Sequence, residues 1–536
     1  MLQHDSRPDQ RFVMLKHNLR LENSQPNACS IRGQNEDSAM TKTNRTISRR
    51  RFVKSAALQA AAAATGARIA LGDAGKAAGR LSAGAATADI TPPLGVSLSG
   101  PISKRGPSKR IITPLNARAI VLDDGRERIA FVVCDATIIY DKVMNRAKEL
   151  VQKQTGLAPD RICISATHAH AVPRVGMETT ELDLKYYDLV GERIADAVSM
   201  AIKNLAPARV GWGVGSKPEF TRCRRNLMKP GTLGPNPFGE TTDQARMGGS
   251  GSNVIGPTGP IDPQVGVLSL QHADGRPMAL LASYSIHYVP GDKRGDVTAD
   301  YFGHFADRLG ELMKTNVSNK ANKANKANKA DPPFVGMMAN GNSGDTGGPG
   351  GGGYERQKEV GNALAEEVLR VCRKIEYHDR VPLAVRQSAI ELGVRLPDAK
   401  RIEWAKAVKA GTWQGKAHGW KNVYADQTLQ LAEFPPTLPV CLQAFRIGDL
   451  AITTNPCEMF ASTALEIRAG SPMRPCFNIE LANGYRGYLP PPEQHKLGGY
   501  TTWPATSSCL EVDAASKIRQ ELLRLIGEVA RASDGK

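Results

Sequence analysis

The chain is short of aromatic residues, which make up 5% of its 536 positions, and it lacks several arrangements that would assign a function at once. It has nine cysteines but no Cys-x-x-Cys spacing, which excludes a zinc knuckle and a thioredoxin-like redox pair. No run approaches the roughly 20 strongly apolar residues that a bilayer span requires, so no stable transmembrane anchor is expected. No Gly-rich loop is completed by Lys-Ser/Thr, which excludes a P-loop nucleotide site. Lys and Arg outnumber Asp and Glu, 70 to 53, but 12 of those cations and 6 of the anions fall within residues 1–75. The remaining basic residues are scattered, apart from Arg222, Arg224 and Arg225, with no stripe interleaved with aromatics. No nucleic-acid partner is therefore expected.

What is present is a globular mix, 41% apolar and 23% charged, with 52 glycines. This excludes disorder of the whole chain and points to a loop-rich enzyme, long enough for one large α/β unit or several domains. Residues 1–47 form a polar extension without apolar period. Then Ser48-Arg49-Arg50-Arg51-Phe52-Val53-Lys54 precedes an Ala-rich stretch from Ser55 to Ala67. Cations ahead of a short, weakly apolar run are the pattern of a twin-arginine export signal. Residues 48–80 are thus expected to be a signal segment engaging the twin-arginine export machinery, with the mature chain periplasmic or secreted. Eight cysteines lie beyond it, most of them single residues in apolar runs, where packing is the commoner role.

From Leu81 onward β-branched runs alternate with helical spacing. Ala117 to Leu122, Ile129 to Cys134 and Arg161 to Ala166 predict strands, and Val143 to Thr155 predicts a helix. The pattern returns with strands at Gln264 to Leu270, Met278 to Tyr284 and Phe334 to Ala339, an amphipathic helix from Ala299 to Met313, and a closing one from Ala514 to Ala532. This alternation predicts an α/β fold, mixed β-sheets layered with helices, in one large catalytic domain over residues 81–536. A fourfold Asn-Lys-Ala repeat from Asn319 to Ala330 predicts an exposed low-complexity loop insertion at 316–332. Lys229 to Pro260 and Gly347 to Gly353, rich in Gly and Pro, are expected to be irregular, and long loops of that kind inside a domain usually shape a site.

Ser165-Ala166-Thr167-His168-Ala169-His170 places two imidazoles two residues apart at the end of a buried strand. In extended chain such side chains point the same way, into a cavity at the carboxyl end of the sheet, where open α/β folds hold their ligands. Neutral imidazole suits zinc, so metal binding is one reading of the pair; metal-free acid/base work and structural hydrogen bonding are the others. His287, just past the strand ending at Tyr284, is by itself more often a structural histidine. Gly341-Asn342-Ser343-Gly344-Asp345-Thr346-Gly347 has the composition to wrap backbone N–H groups around an anion.

Taken in order, these segments resemble the neutral/alkaline non-lysosomal ceramidases, amidases that split the N-acyl bond of ceramide. The likeness runs from Gly84-Ala85-Ala86-Thr87-Ala88-Asp89-Ile90-Thr91-Pro92-Pro93, similar to the family's opening strand and turn, to the C-terminal helix. Ser165 to His170 is similar to the family's Ser-Gly/Ala-Thr-His-Thr-His, which implies His168 as a zinc ligand and His170 as an acid/base or orienting residue beside it. The segment ending at His287 resembles the second zinc histidine. Asn455-Pro456-Cys457-Glu458-Met459-Phe460 resembles the Pro-Gly-Glu-Phe turn, implying Glu458 as the carboxylate ligand. Asn483-Gly484-Tyr485-Arg486-Gly487-Tyr488 resembles Asn-x-Tyr-x-x-Tyr, and Tyr500 matches the family's Tyr twelve residues on, which implies Tyr488 at the metal and Tyr500 over the scissile carbonyl. Arg224 stands where the family carries an Asn-Arg segment, which implies a catalytic role with Tyr500 in stabilising the developing oxyanion or binding a substrate hydroxyl or anion. The family's catalytic Ser corresponds to Gly347, which leaves Thr346 or Ser343, neither at the matching position, as a replacement hydroxyl. Characterised members continue into an immunoglobulin-like domain, and the present sequence ends with the helix, so the likeness covers the catalytic part.

Two neutral imidazoles and one carboxylate would give zinc a site of net charge +1 with an open position for water, the form of a catalytic centre. The expected function is an exported zinc-dependent hydrolase cleaving an N-acyl amide bond. Two other readings stand beside it: a zinc hydrolase acting on a non-lipid amide or ester, and an exported zinc-binding protein without turnover.

Overall fold

In the strand Asn116–Asp123 the side chains of Ala117, Ala119 and Val121 enter one apolar layer and those of Ile120 and Leu122 another, so the strand is covered on both faces. It belongs to a unit of fixed order: β1 (Ser82–Asp89), β2 (Asn116–Asp123), β3 (Arg128–Cys134), α1 (Asp141–Thr155), β4 (Ile162–Ala166) and α2 (Glu181–Lys203). The same βββαβα order returns as β5 (Ala206–Ser216), β6 (Gln264–His272), β7 (Pro277–Tyr284), α3 (Asp300–Lys320), β8 (Val335–Asn340) and α4 (Gly353–Cys372). A third unit opens with β9 (Leu383–Gly393), after which α5 (Ala399–Lys409) and α6 (Lys421–Leu431) are inserted. It then completes the order with β10 (Thr437–Ile447), β11 (Leu450–Thr454), α7 (Ala461–Gly470), β12 (Cys476–Ile479) and α8 (Ala514–Arg531). In every unit the first three strands pair antiparallel and the fourth pairs parallel to the third. The hairpin between the second and third strands turns each time on a glycine with positive φ: Gly125 at 84°, Gly275 at 88° and Gly448 at 60°. Glycine adopts that left-handed conformation at least cost.

The first two units join through β1 and β5 into one eight-stranded sheet, in the order β8-β7-β6-β5-β1-β2-β3-β4; the third forms a four-stranded sheet of its own. The sheets stack face to face over a shared core in which Phe131 and Phe445 meet with ring centroids 4.7 Å apart. Helices α1 and α2 cover the outer face of the first unit, α3 and α4 that of the second, and α7 and α8 that of the third. The result is a four-layer αββα architecture, the mixed sheets layered with helices that the sequence predicts.

The computed structural model describes residues 79–100, 106–177, 180–320 and 332–532, all within one compact unit, Asp73–Lys536. The polar extension at 1–47 and the signal segment up to residue 78 lie outside the described residues. The helix expected from Ala299 to Met313 continues to Lys320, so it takes up the first residues of the stretch expected as a loop insertion at 316–332; residues 321–331 of that stretch lie outside the described residues. Lys229 to Pro260 is not wholly irregular, because Ala245–Met247 and Val254–Pro257 pair on either side of the strand Arg225–Met228. All eight cysteines beyond the signal are unpaired, and Cys134, Cys163, Cys457, Cys476 and Cys509 are buried. Among the described residues no helix is long and apolar enough to cross a membrane.

The carboxyl ends of the three parallel pairs meet. Asn340 Nδ2 at the end of β8 donates to the Thr167 carbonyl just past β4, at 3.5 Å, so the two edges of the large sheet approach each other there. The chain leaving β12 bridges them: Glu480 N–H donates to the Asn340 carbonyl at 3.0 Å, and Asn483 N–H to that of Ile164 at 2.8 Å. This seam satisfies the edge groups of both strands and brings loops from all three units to one point.

Candidate metal centre

His168 stands at that point, and not by strand alternation. Strand β4 ends at Ala166, and His168 has φ 64°, a left-handed conformation uncommon for a non-glycine residue. Of the four such non-glycine residues among those described, three lie on this seam: His168, Leu481 and Asn483. Strained backbone gathers where structure holds a functional geometry, and here the turn rather than an extended pair aims His168 and His170 into one basin.

Three imidazoles share the basin. His168, His170 and His287 are all buried, and each offers a ring nitrogen such that the three lie within 4.8 Å of one another. His168 Nε2 is 3.4 Å from His170 Nε2 and 3.4 Å from Glu458 Oε2. Two donors at about 2.1 Å from one tetrahedral ion stand about 3.4 Å apart, so the His168–Glu458 spacing would admit a shared cation, while His287 Nδ1 stands farther off, 4.0 Å from the same Glu458 oxygen. His168 Nδ1 lies 2.8 Å from the Thr137 carbonyl and His287 Nδ1 3.3 Å from that of Ser343. A carbonyl only accepts, so both Nδ1 atoms carry a hydrogen, and the Nε2 atoms are the nitrogens left available to a metal. His170 is oriented differently, stacked on the Tyr288 ring with centroids 3.9 Å apart.

Glu458 is brought in by the parallel pairing of Glu458 with Tyr488, which also sets that tyrosine beside it. Its Oε1 accepts from the Tyr485 hydroxyl at 2.8 Å, while its Oε2 is buried without a hydrogen-bond partner. A buried carboxylate oxygen left unpaired is costly, and a cation among the three histidines would satisfy it; the donor set fits zinc. Burial works to raise the Glu458 pKa, but His168, Arg224 and Tyr485 outweigh it and hold the group below the ordinary glutamate value. Burial, reinforced by Arg224, His168 and His170, holds His287 well below the usual histidine range, hence neutral. Both groups are thus in the ligand form.

The remaining expected residues take three different places. Arg224 Nη2 donates to the Tyr488 hydroxyl at 3.3 Å and to the Gly344 carbonyl at 3.1 Å, so it reaches the centre through Tyr488. Tyr488 and Tyr500 meet edge to face at 5.6 Å, and burial raises both hydroxyls above the usual tyrosine range. A cavity of about 120 Å³ opens over the centre, lined by His168, His170, Glu458, Tyr488 and Tyr500 among others. Thr346 is buried, paired with Cys223, and is not among the cavity-lining residues. A larger groove, about 910 Å³, runs along α2 and contains none of these side chains.

Sequence reasoning missed Tyr485, the partner of Glu458, although it sits in the same Asn-Gly-Tyr-Arg-Gly-Tyr segment as Tyr488. It also missed the carbonyls of Thr137 and Ser343, for which side-chain identity carries no signal.

No curated protein matches the chain. Among solved structures, it is similar to the crystal structure of neutral ceramidase from Pseudomonas aeruginosa, with a TM-score of 0.60 and 18% identity over 84% of this chain and 74% of that one. A ceramidase complexed with C2 matches with a TM-score of 0.60 and 16% identity over 84% and 75% of the respective chains. At that identity the likeness establishes the fold. The family model of the N-terminal part of neutral/alkaline non-lysosomal ceramidase matches residues 81–362, more than half of the sequence, and the chain belongs to that family.

Proposed function

We propose that the protein is an exported zinc-dependent hydrolase that cleaves an N-acyl amide bond, with residues 81–536 as its catalytic domain. The observation that carries this reading is the buried, unpartnered Glu458 Oε2 facing His168 Nε2 at 3.4 Å in a chain of the ceramidase family. His168, His287, Glu458 and Tyr488 would hold the ion. A bound zinc ion supplies a water whose pKa falls toward about 7 and a Lewis acid for the amide carbonyl.

The chain's own groups do the rest. His170 is assigned to proton transfer because its ring is held by stacking on Tyr288, whereas His168 and His287 are tied to carbonyls as metal ligands are. It would take a proton from the attacking water and return it to the leaving amine. Tyr500, in the cavity wall, would donate to the oxygen of the amide as negative charge develops there. Arg224 fixes the Tyr488 hydroxyl and adds positive charge behind it. Burial around the site strengthens each of these interactions.

Gly347 favours a second reading, a zinc hydrolase of a non-lipid amide or ester. It removes the hydroxyl that the family's Ser would offer, and Thr346 does not line the cavity. Released fatty acid, measured on ceramide, other N-acyl lipids and small amides and esters with protein purified from residue 81, decides between the two; elemental analysis of the same preparation should give about one zinc per chain. Zinc at full occupancy without hydrolysis of any acyl substrate would leave a silent zinc-binding protein. The export reading predicts the processed chain in the periplasm or medium of cells with an active twin-arginine pathway, and its retention when Arg49 and Arg50 are replaced by Lys.

A further inference from the structure

Behind the metal centre lies a second carboxylate that the proposed reaction does not use. Glu480, the first residue past β12, is fully buried. Three donors converge on its two oxygens: Ser343 N–H at 3.0 Å from each, the Ser343 hydroxyl in a short bond to Oε1, and Met459 N–H at 2.9 Å from Oε2. These donors belong to different units. Ser343 lies in the loop after β8, and its carbonyl orients His287. Met459 follows Glu458 directly in the chain. Glu480 N–H, in turn, donates to the Asn340 carbonyl at the end of β8.

We propose that Glu480 is a positioning residue that locks the His287 and Glu458 loops into one metal-binding geometry. The reasoning is one of counting acceptors. Buried polar groups are nearly always paired, and among the described residues these three donors meet no other acceptor. A glutamine keeps the shape but offers one acceptor oxygen and turns an N–H₂ group toward a donor. One of the two loops is then released. Either Ser343 shifts, and the carbonyl holding His287 Nδ1 shifts with it, or Met459 shifts and moves Glu458. Groups in this supporting position typically change metal affinity by 10- to 100-fold when replaced.

The inference rests on the metal reading above, and one experiment separates their failures. The zinc dissociation constant of the mature chain is measured by chelator competition for wild type, Glu480→Gln and Ser343→Ala, with the melting temperature of each apo-protein alongside. Glu480→Gln is expected to weaken zinc binding by about 10- to 100-fold. Ser343→Ala should weaken it by less, since the hydroxyl is lost while both backbone donors remain. A merely structural role would lower the apo melting temperature and leave the dissociation constant unchanged; that result overturns the proposal, as does wild-type affinity in Ser343→Ala should Glu480→Gln fail to fold. If the wild type itself binds no zinc, the metal reading fails, and this proposal with it.

Discussion

The Tyr485 hydroxyl donates to Glu458 Oε1 at 2.8 Å, so the carboxylate is turned with Oε2 toward His168. Tyr485→Phe removes that donor and leaves a buried acceptor unsatisfied, a loss of about 1–3 kcal/mol. We expect the variant to retain zinc with an affinity reduced several-fold and to melt at a lower temperature. A zinc titration and a thermal melt check this, and unchanged affinity would show that the carboxylate is oriented by the metal alone.

The ligand assignment separates four substitutions from two. His168→Ala, His287→Ala and Glu458→Ala should each abolish metal retention, and Tyr488→Phe should weaken it. His170→Ala and Tyr500→Phe should keep the metal and lower turnover, by about 10²–10⁴-fold for a lost general base. Elemental analysis of the purified variants reads this directly. Metal lost from His170→Ala would make that imidazole a ligand and move the proton-transfer role elsewhere.

His168 offers a test of backbone strain. At φ 64° a side chain other than glycine costs roughly 1–2 kcal/mol, so His168→Gly and His168→Ala remove the same ligand but only glycine relieves the turn. Both should lack metal, and the glycine variant should be more stable by about 1 kcal/mol. Denaturant unfolding of the two apo-proteins measures the difference, and equal stabilities would mean that the turn relaxes once the imidazole is gone.

Much of this was legible in the residues, because strands such as Ile129 to Cys134 and helices such as Val143 to Thr155 announce themselves by period. The threefold recurrence of βββαβα was not. It is written in pairing directions and in the tight turns at Gly125, Gly275 and Gly448, while the first loop of each unit differs in length and content. The site followed the same division. His168, His170, His287, Glu458, Tyr488 and Tyr500 were accessible through resemblance, and they do gather around one basin. What holds them, the carbonyls of Thr137 and Ser343 and the buried Glu480, depends on contacts between chain segments far apart in sequence. No local pattern encodes those.

Asp345 sets a pH dependence. It is buried, with Oδ1 accepting from Ala461 N–H at 2.9 Å and Oδ2 without a hydrogen-bond partner among the described residues, and burial lifts its carboxyl to about 6. An unfolded aspartate titrates near 3.9, so the folded chain binds this proton more tightly. Its contribution to stability is full below about pH 4 and is lost as the pH rises through about 6. Asp345→Asn should therefore gain stability relative to wild type at pH 8, by at most roughly 3 kcal/mol, and show no such gain at pH 4. Melting curves at the two pH values decide it, with an equal shift at both ruling out the titration.

By resemblance Gly347 takes the position of the family's Ser, and its surroundings say what a serine would meet. The backbone there is not left-handed, so a side chain is sterically admissible; its Cβ would lie 3.3 Å from Arg224 Cβ and 3.6 Å from Arg224 Cδ. That is a tight fit requiring a shift of a few tenths of an ångström. Arg224 is held by the Gly344 carbonyl and the Tyr488 hydroxyl, so the shift is transmitted toward the metal centre. Gly347→Ser should fold with zinc bound and lose less than about 1 kcal/mol, while Gly347→Val, with a branched side chain against Arg224, should lose about 1–3 kcal/mol. If the absent hydroxyl is what separates this chain from ceramide cleavage, the serine variant should release fatty acid from ceramide at least about tenfold faster, a gain of about 1.4 kcal/mol in barrier. An intact, zinc-loaded Gly347→Ser with no such gain would place the determinant of the substrate among the residues that line the cavity, and would favour the non-lipid amide reading.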